Sequence, residues 1–161
     1  MKMRKWLALL VSLCLLTVLA GCSLFGPPPD PFAGKWIGLV KVPMLGRSVV
    51  QADIVPLKGE KGRYHVALAA EHYVPDGPGS TTYVWEPGAS LKFDGNLDGD
   101  ELQVNSFVKL SFLVGKATGT IRLHDGTVLY KDTGEQKKDL KKQLAEEIRK
   151  EVPGAVFRDR E

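Results

Sequence analysis

The sequence predicts a mainly β fold: a small antiparallel up-and-down β-barrel of about eight strands, followed by one C-terminal amphipathic α-helix. Three observations carry this. Apolar and polar residues alternate with period two through most of 34–132, which buries one face of each strand. The breaks between runs hold turn chemistry, at Lys58-Gly59-Glu60, Asp76-Gly77-Pro78-Gly79, Glu86-Pro87-Gly88, Asp98-Gly99 and Asp125-Gly126. Asp-Gly between alternating runs is a strong hairpin signal. A helical stripe then follows the last run, in 133–152. A meander of short strands has to bury one face and protect its edges, and closing into a barrel does both.

The chain opens with a basic patch, Lys2, Arg4 and Lys5, and a short apolar run from Leu7 to Ala20. A spanning helix needs about 20 apolar residues; a basic start, a short apolar core and small residues at its end make a secretory signal peptide over 1–21. Leu19-Ala20-Gly21-Cys22 resembles the lipobox of bacterial lipoproteins. The resemblance implies cleavage before Cys22, a diacylglycerol on its thiol, and an extracytoplasmic protein held on a membrane: the cell membrane, or the outer membrane if the organism has one. Ser23 after the Cys resembles the outer-membrane class of enteric-type bacteria.

Residues 22–33 then form a tether. Gly26, Pro27, Pro28, Pro29 and Pro31 cannot pack as helix or central strand, and the stretch from Ser23 to Ala33 reaches at most about 34 Å. Cleavage also changes the charge. Of 22 Lys+Arg against 19 Asp+Glu, the signal takes three cations and leaves 19 against 19. A neutral mature chain lacks the basic stripe a nucleic-acid partner requires. Both cysteines, Cys14 and Cys22, are consumed by the signal and the lipid, so no disulfide or thiolate site is expected.

The barrel domain is placed at 34–132. Its apolar positions, taken run by run, are Trp36, Gly38, Val40 and Val42; Val50, Ala52 and Ile54; Tyr64, Val66, Leu68 and Ala70; Tyr83 and Trp85; Leu91 and Phe93. Leu102 and Val104 follow, then Val108, Leu110, Phe112 and Val114, then Ile121 and Leu123, then Val128 and Tyr130. Phe32-Ala33-Gly34-Lys35-Trp36 resembles the F-x-G-x-W opening of lipocalins and fatty-acid-binding proteins, the calycin barrels. That resemblance implies that Trp36 closes one end of the barrel, that an Arg covers it, for which Arg122 is the candidate, and that the interior binds a small apolar molecule.

The helix is placed at 133–152. Thr133-x-x-Gln136 is a capping box. Leu140, Leu144, Ile148 and Val152 make one stripe with Ala145 beside it, and Pro153-Gly154 ends it. Two readings of the helix are open: docked on the barrel wall through its stripe, or lying on anionic lipid through Lys137, Lys138, Lys141, Lys142 and Lys150. Ala155, Val156 and Phe157, in the tail 153–161, suggest a last short strand.

Chemical sites are sparse. Asp94-Gly95-Asn96-Leu97-Asp98-Gly99 matches the first half of a calcium loop, yet Asn105 stands where a bidentate Glu belongs, and a strand would leave the three side chains splayed along one face. His65 and His72 fall on opposite faces of a regular strand, and His124 sits in a turn. Ser48, His72 and Asp53 make a triad only on paper, since no nucleophile elbow supports them. No metal, cofactor or enzymatic activity is expected.

Two functions remain. One is a hollow barrel binding a small apolar or lipid ligand, with Trp36, Tyr64, Leu68, Tyr83, Trp85, Phe93, Leu110 and Phe112 as candidate ligand-binding residues. The other is an envelope module whose filled barrel contacts a protein partner. An eight-stranded barrel allows either. Gly38, Ala52, Ala67, Ala70, Ala89 and Gly119 favour a cavity where they point inward. Met44 and Leu45, in the first hairpin, read either as a lid or partner contact or as a loop tucked on the barrel. Tyr83 and Trp85 share a face that is either core or cavity wall.

Overall fold

Alternation of apolar side chains gives each strand an inner face, and the hairpin turns bring successive strands side by side. The computed structural model describes residues 29–106 and 109–160. The apolar N-terminal run, the lipidation candidate Cys22 and most of the tether lie outside these described residues, as do Phe107 and Val108. Pro31–Glu161 is a compact unit with its own core.

Eight strands pair antiparallel, each with the next: β1 (Gly34–Val42), β2 (Gly46–Pro56), β3 (Arg63–Pro75), β4 (Thr82–Asp98), β5 (Glu101–Val104), β6 (Leu110–Val114), β7 (Thr120–Leu123) and β8 (Val128–Lys131). β8 returns to β1, with Trp36 opposite Lys131 and Ile37 opposite Tyr130, and the Asp132 amide donates to the Lys35 carbonyl at 2.9 Å. The barrel is closed, as the sequence predicts. Helix α1 (Gln136–Glu151) follows, and the chain ends in β9 (Val156–Asp159), which runs parallel to the first residues of β4.

Most inner positions follow the alternation. Trp36, Val40, Val50, Ala52, Ile54, Tyr64, Val66, Leu102, Phe112 and Ile121 form one buried cluster inside the ring. A second cluster lies on the outer side of the wall, where Ile37, Val49 and Trp85 meet Leu144 of α1, with Leu39, Tyr73, Leu140 and Ile148 around them. The helix is therefore docked on the wall through its stripe. This explains why β1 and β2 are buried on both faces near Ile37 and Val49.

Three local expectations are corrected. Pro87-Gly88 does not end a strand: β4 runs through it, with a bulge opposite Ala69–Glu71. Proline lacks the ladder donor, and a bulge is one of the few places a strand accepts it. On β8, Leu129 is inward and fully buried while Val128 and Tyr130 face out, the reverse of the expected phase. Three consecutive apolar residues carry no period of their own, so pairing sets the phase. The helix also starts late, at Gln136. Thr133 donates both its amide and its hydroxyl to the Gln136 side chain, each at 2.9 Å. Gly134 then turns the chain with φ +89° before the helix begins.

The anchor of α1 is Glu71, on the outer face of β3. One carboxylate oxygen accepts from Trp85 Nε1 at 2.6 Å and the other from Lys137 Nζ at 2.5 Å. Burial pushes this carboxyl up, but hydrogen bonds from Lys137 and Trp85 and the charges of Lys137 and Lys141 outweigh it, so it lies below its ordinary value of 4.5. A depressed carboxyl stabilises the fold above its unfolded value, and that contribution is lost as pH falls through the folded value. Urea melts at about pH 7 and about pH 3 are expected to show a smaller acid-induced loss for Glu71→Gln than for the wild type, because glutamine can still accept from Trp85 but does not titrate.

Candidate functional site: an apolar mouth opposite a closed floor

The two ends of the barrel differ. At the end where the chain enters, Phe32 folds over the opening and is buried with Trp36 and Tyr64. Trp36 Nε1 donates to the Phe32 carbonyl at 2.7 Å, and the Phe32 and Tyr64 rings meet edge to face with centroids 6.4 Å apart. Lys131 Nζ sits 4.2 Å from the Trp36 ring centroid and donates to the Ala33 carbonyl at 2.7 Å. Cation and ring attract through the ring quadrupole. The cation over the tryptophan is thus Lys131 of β8, not Arg122, which alternates to the other face of β7 from the buried Ile121 and Leu123. Gly34 makes the arrangement possible twice over. Its φ is +121°, and a Cβ there would lie 2.5 Å from Lys131 Nζ.

The other end is open. Val40, Val42, Val50 and Leu68 on one side, and Leu110, Phe112, Leu123 and Leu129 on the other, enclose a space of about 330 Å³. Its rim carries Lys41, Pro43, Lys109, His124 and Asp125. Ser111 also borders it, with a buried hydroxyl that has no partner among the described residues. A volume of this order falls at the small end of ligand pockets, which are mostly apolar with a few polar groups. A larger concavity, about 510 Å³, lies against β2–β4 between Asp53, His65, Lys92 and Asp94. It is more open and charged, and His65 Nδ1 and Asp94 Oδ1 engage each other there at 2.8 Å. The mouth is the better candidate for an apolar ligand because apolar side chains converge on it from both sides of the ring.

The sequence-predicted residues divide accordingly. Leu68, Leu110 and Phe112 line the mouth. Trp36 and Tyr64 are packed into the floor, and Phe93 packs opposite Val66 and borders the charged concavity instead. Tyr83 and Trp85 are not in the barrel. Trp85 lies under α1 with its ring centroid 4.8 Å from that of Tyr73, and Tyr83 stacks on Phe157 of β9 at 5.6 Å. They share a face, as alternation requires, but β4 has left the ring to pair with β9 at that level. Of the small residues, Gly38 is filled rather than hollow: a Cβ there would lie 2.7 Å from Leu129. Ala67 borders the outer concavity, and Gly119 is an exposed turn residue with φ +71°. Ala52 and Ala70 do point inward, while the Ala89 side chain lies outside the described ones.

The first hairpin borders the mouth. Met44 is fully exposed, with φ +67°, while Leu45 packs against the inner cluster. Leu45 lies over Gly88, where a Cβ would sit 3.0 Å from Leu45 and 3.3 Å from His72 Nδ1. His72 is buried beneath this contact and its Nδ1 has no partner among the described residues. Ser48 donates to the Gly46 carbonyl at 3.4 Å, and Asp53 faces the other side of β2, so the paper triad is not assembled. Asp94 and Asp98 lie in β4 with His65 and Gln103 as partners.

Sequence reasoning missed Lys131, Leu123, Leu129 and His72 as parts of these two ends. Only Gly34 gave a signal, since a glycine just before a buried tryptophan marks a close approach. No family model, characterised protein or solved structure matches the chain. Among the described residues no helix is long and apolar enough to cross a membrane.

Proposed function

We propose that the protein is a lipocalin-like binder of a small apolar or lipid molecule, held outside the cytoplasm by a lipid on Cys22. The observation that carries the reading is the apolar space of about 330 Å³ at the mouth, opposite a floor sealed by Phe32, Trp36 and Lys131. Trp36 and the cation over it support the lipocalin-like reading of the floor. Leu68, Leu110 and Phe112 hold the ligand by burial, at about 25 cal/mol per Å² of apolar surface removed from water. Leu129 fills the space above Gly38, so the ligand is confined to the mouth and is small.

Leu110 is the position to test, because it is only half-buried and a charge there can reach water. Leu110→Glu is expected to weaken binding of the neutral fluorescent probe N-phenylnaphthylamine at least about tenfold, equivalent to about 1.4 kcal/mol, with an unchanged thermal midpoint. Equal probe binding by the variant and the wild type would place the ligand elsewhere.

A further inference from the structure

We infer that the mouth end of the barrel is a docking surface for an anionic lipid bilayer, with Met44 entering the interface and Lys41 and Lys109 lying on headgroups. The ligand reading concerns what the mouth holds; this one concerns what the mouth faces, and it rests on that reading only for the purpose of the contact.

Four observations converge on the hairpin tip. Met44 is 104 % exposed, at a turn position where polar residues are usual. Its φ of +67° is in the left-handed region, which a long side chain adopts at a cost and which Gly, Asn or Asp would occupy with less. The turn therefore keeps an apolar side chain directed into water when a cheaper residue would serve the fold. Pro43 precedes it and borders the mouth, so the tip projects beside the cavity opening. Leu45, the next residue, is seated on the inner cluster, which holds the tip against the barrel. Around the opening stand Lys41 and Lys109, both exposed, neither with an acidic partner among the described residues. Arg47, in the first residues of β2, pairs with Glu147 at 3.0 Å, and Asp125, the one acidic group lining the opening among the described residues, accepts from the Thr127 amide at 2.9 Å, so the two lysines outnumber it. His124 is the remaining titratable group there.

An exposed apolar tip beside free cations is the chemistry of an anionic bilayer surface. The apolar group enters the headgroup–acyl boundary, and each cation near the surface gains about a fivefold preference, the equivalent of about 1 kcal/mol. Among the described residues Met44 is the most exposed large apolar side chain, against 39 % for Val128 beside the mouth-lining Leu129, and one dominant apolar tip flanked by cations suits a bilayer boundary better than a broad protein interface. Docked this way, the mouth opens onto acyl chains, and an apolar ligand passes between bilayer and barrel without crossing bulk water.

The test uses Pro31–Glu161, a compact unit that contains no cysteine. Wild-type protein is expected to sediment with phosphatidylglycerol vesicles and not with phosphatidylcholine vesicles. The double variant Lys41→Glu, Lys109→Glu is expected to lose about tenfold or more in partitioning. An environment-sensitive nitrobenzoxadiazole label on Met44→Cys should brighten on the anionic vesicles and be quenched by acyl-chain nitroxides. The same label on Asp100→Cys, in the hairpin at the floor end, should do neither. Equal response of the two labels, equal sedimentation with both vesicles, or an unaffected double variant would each overturn the docking. No ligand is present in these measurements. Docking by a protein that fails to bind N-phenylnaphthylamine would therefore overturn the ligand reading alone, and probe binding without docking would overturn this inference alone.

Discussion

Trp36→Ala is expected to destabilise the protein by about 3–5 kcal/mol, the usual cost of deleting a large buried aromatic. The loss goes beyond the indole's own contacts. Trp36 Nε1 is the donor that ties down the Phe32 carbonyl, and the ring is the platform under Lys131, which in turn ties down Ala33. Removing it frees the segment that folds over the barrel end. It also weakens the short β1–β8 seam, where Trp36 itself pairs with Lys131. Trp36→Phe keeps most of the volume and loses chiefly the hydrogen bond, so a smaller cost of about 1 kcal/mol is expected. Urea denaturation of both variants checks the ratio. Equal, near-zero costs would mean that the floor is not structural and that the chain entry is held elsewhere.

Leu144→Ala is expected to cost about 2–5 kcal/mol, and Leu144→Asp to release the helix altogether. Leu144 is 2 % exposed and is the helix residue that meets Ile37, Val49 and Trp85. A carboxylate there has no partner, and undocking costs less than burying it unpaired. The barrel does not depend on this contact, because its ring closes through β1 and β8. Hydrogen exchange on Leu144→Asp is therefore expected to show lost protection in α1 and β9 with the β1–β8 ring still protected. Loss of protection throughout would show that helix and barrel fold as one cooperative unit.

The barrel itself was legible because its signals are local. Alternation in β2, β3 and β5 needs only neighbouring residues, and Asp98-Gly99 and Asp125-Gly126 mark their hairpins without reference to the rest of the chain. What failed was set at long range. Val128-Leu129-Tyr130 has no internal phase, and only pairing with β1 and β7 turns Leu129 inward. Pro87-Gly88 looks like a stop, yet the chain continues because Ala69–Glu71 opposite it accommodates a bulge. Tyr83 and Trp85 alternate correctly, but their face belongs to the helix rather than the cavity, because β4 pairs with a strand that lies 74 residues later, Thr82 with Val156. Lys131 over Trp36 is likewise a contact between chain ends. The mouth was half legible: Leu68, Leu110, Phe112 and Leu123 face inward by period two, whereas Leu129 enters it through ring closure.

The claim that matters most is that the mouth holds a small apolar molecule. Native mass spectrometry of Pro31–Glu161, after exposure to an extract of bacterial membranes, tests it most directly. The account predicts a discrete adduct of a few hundred daltons that is absent from Leu110→Glu. Bare protein after several such extracts would contradict it, and would favour a filled barrel that acts through its surface.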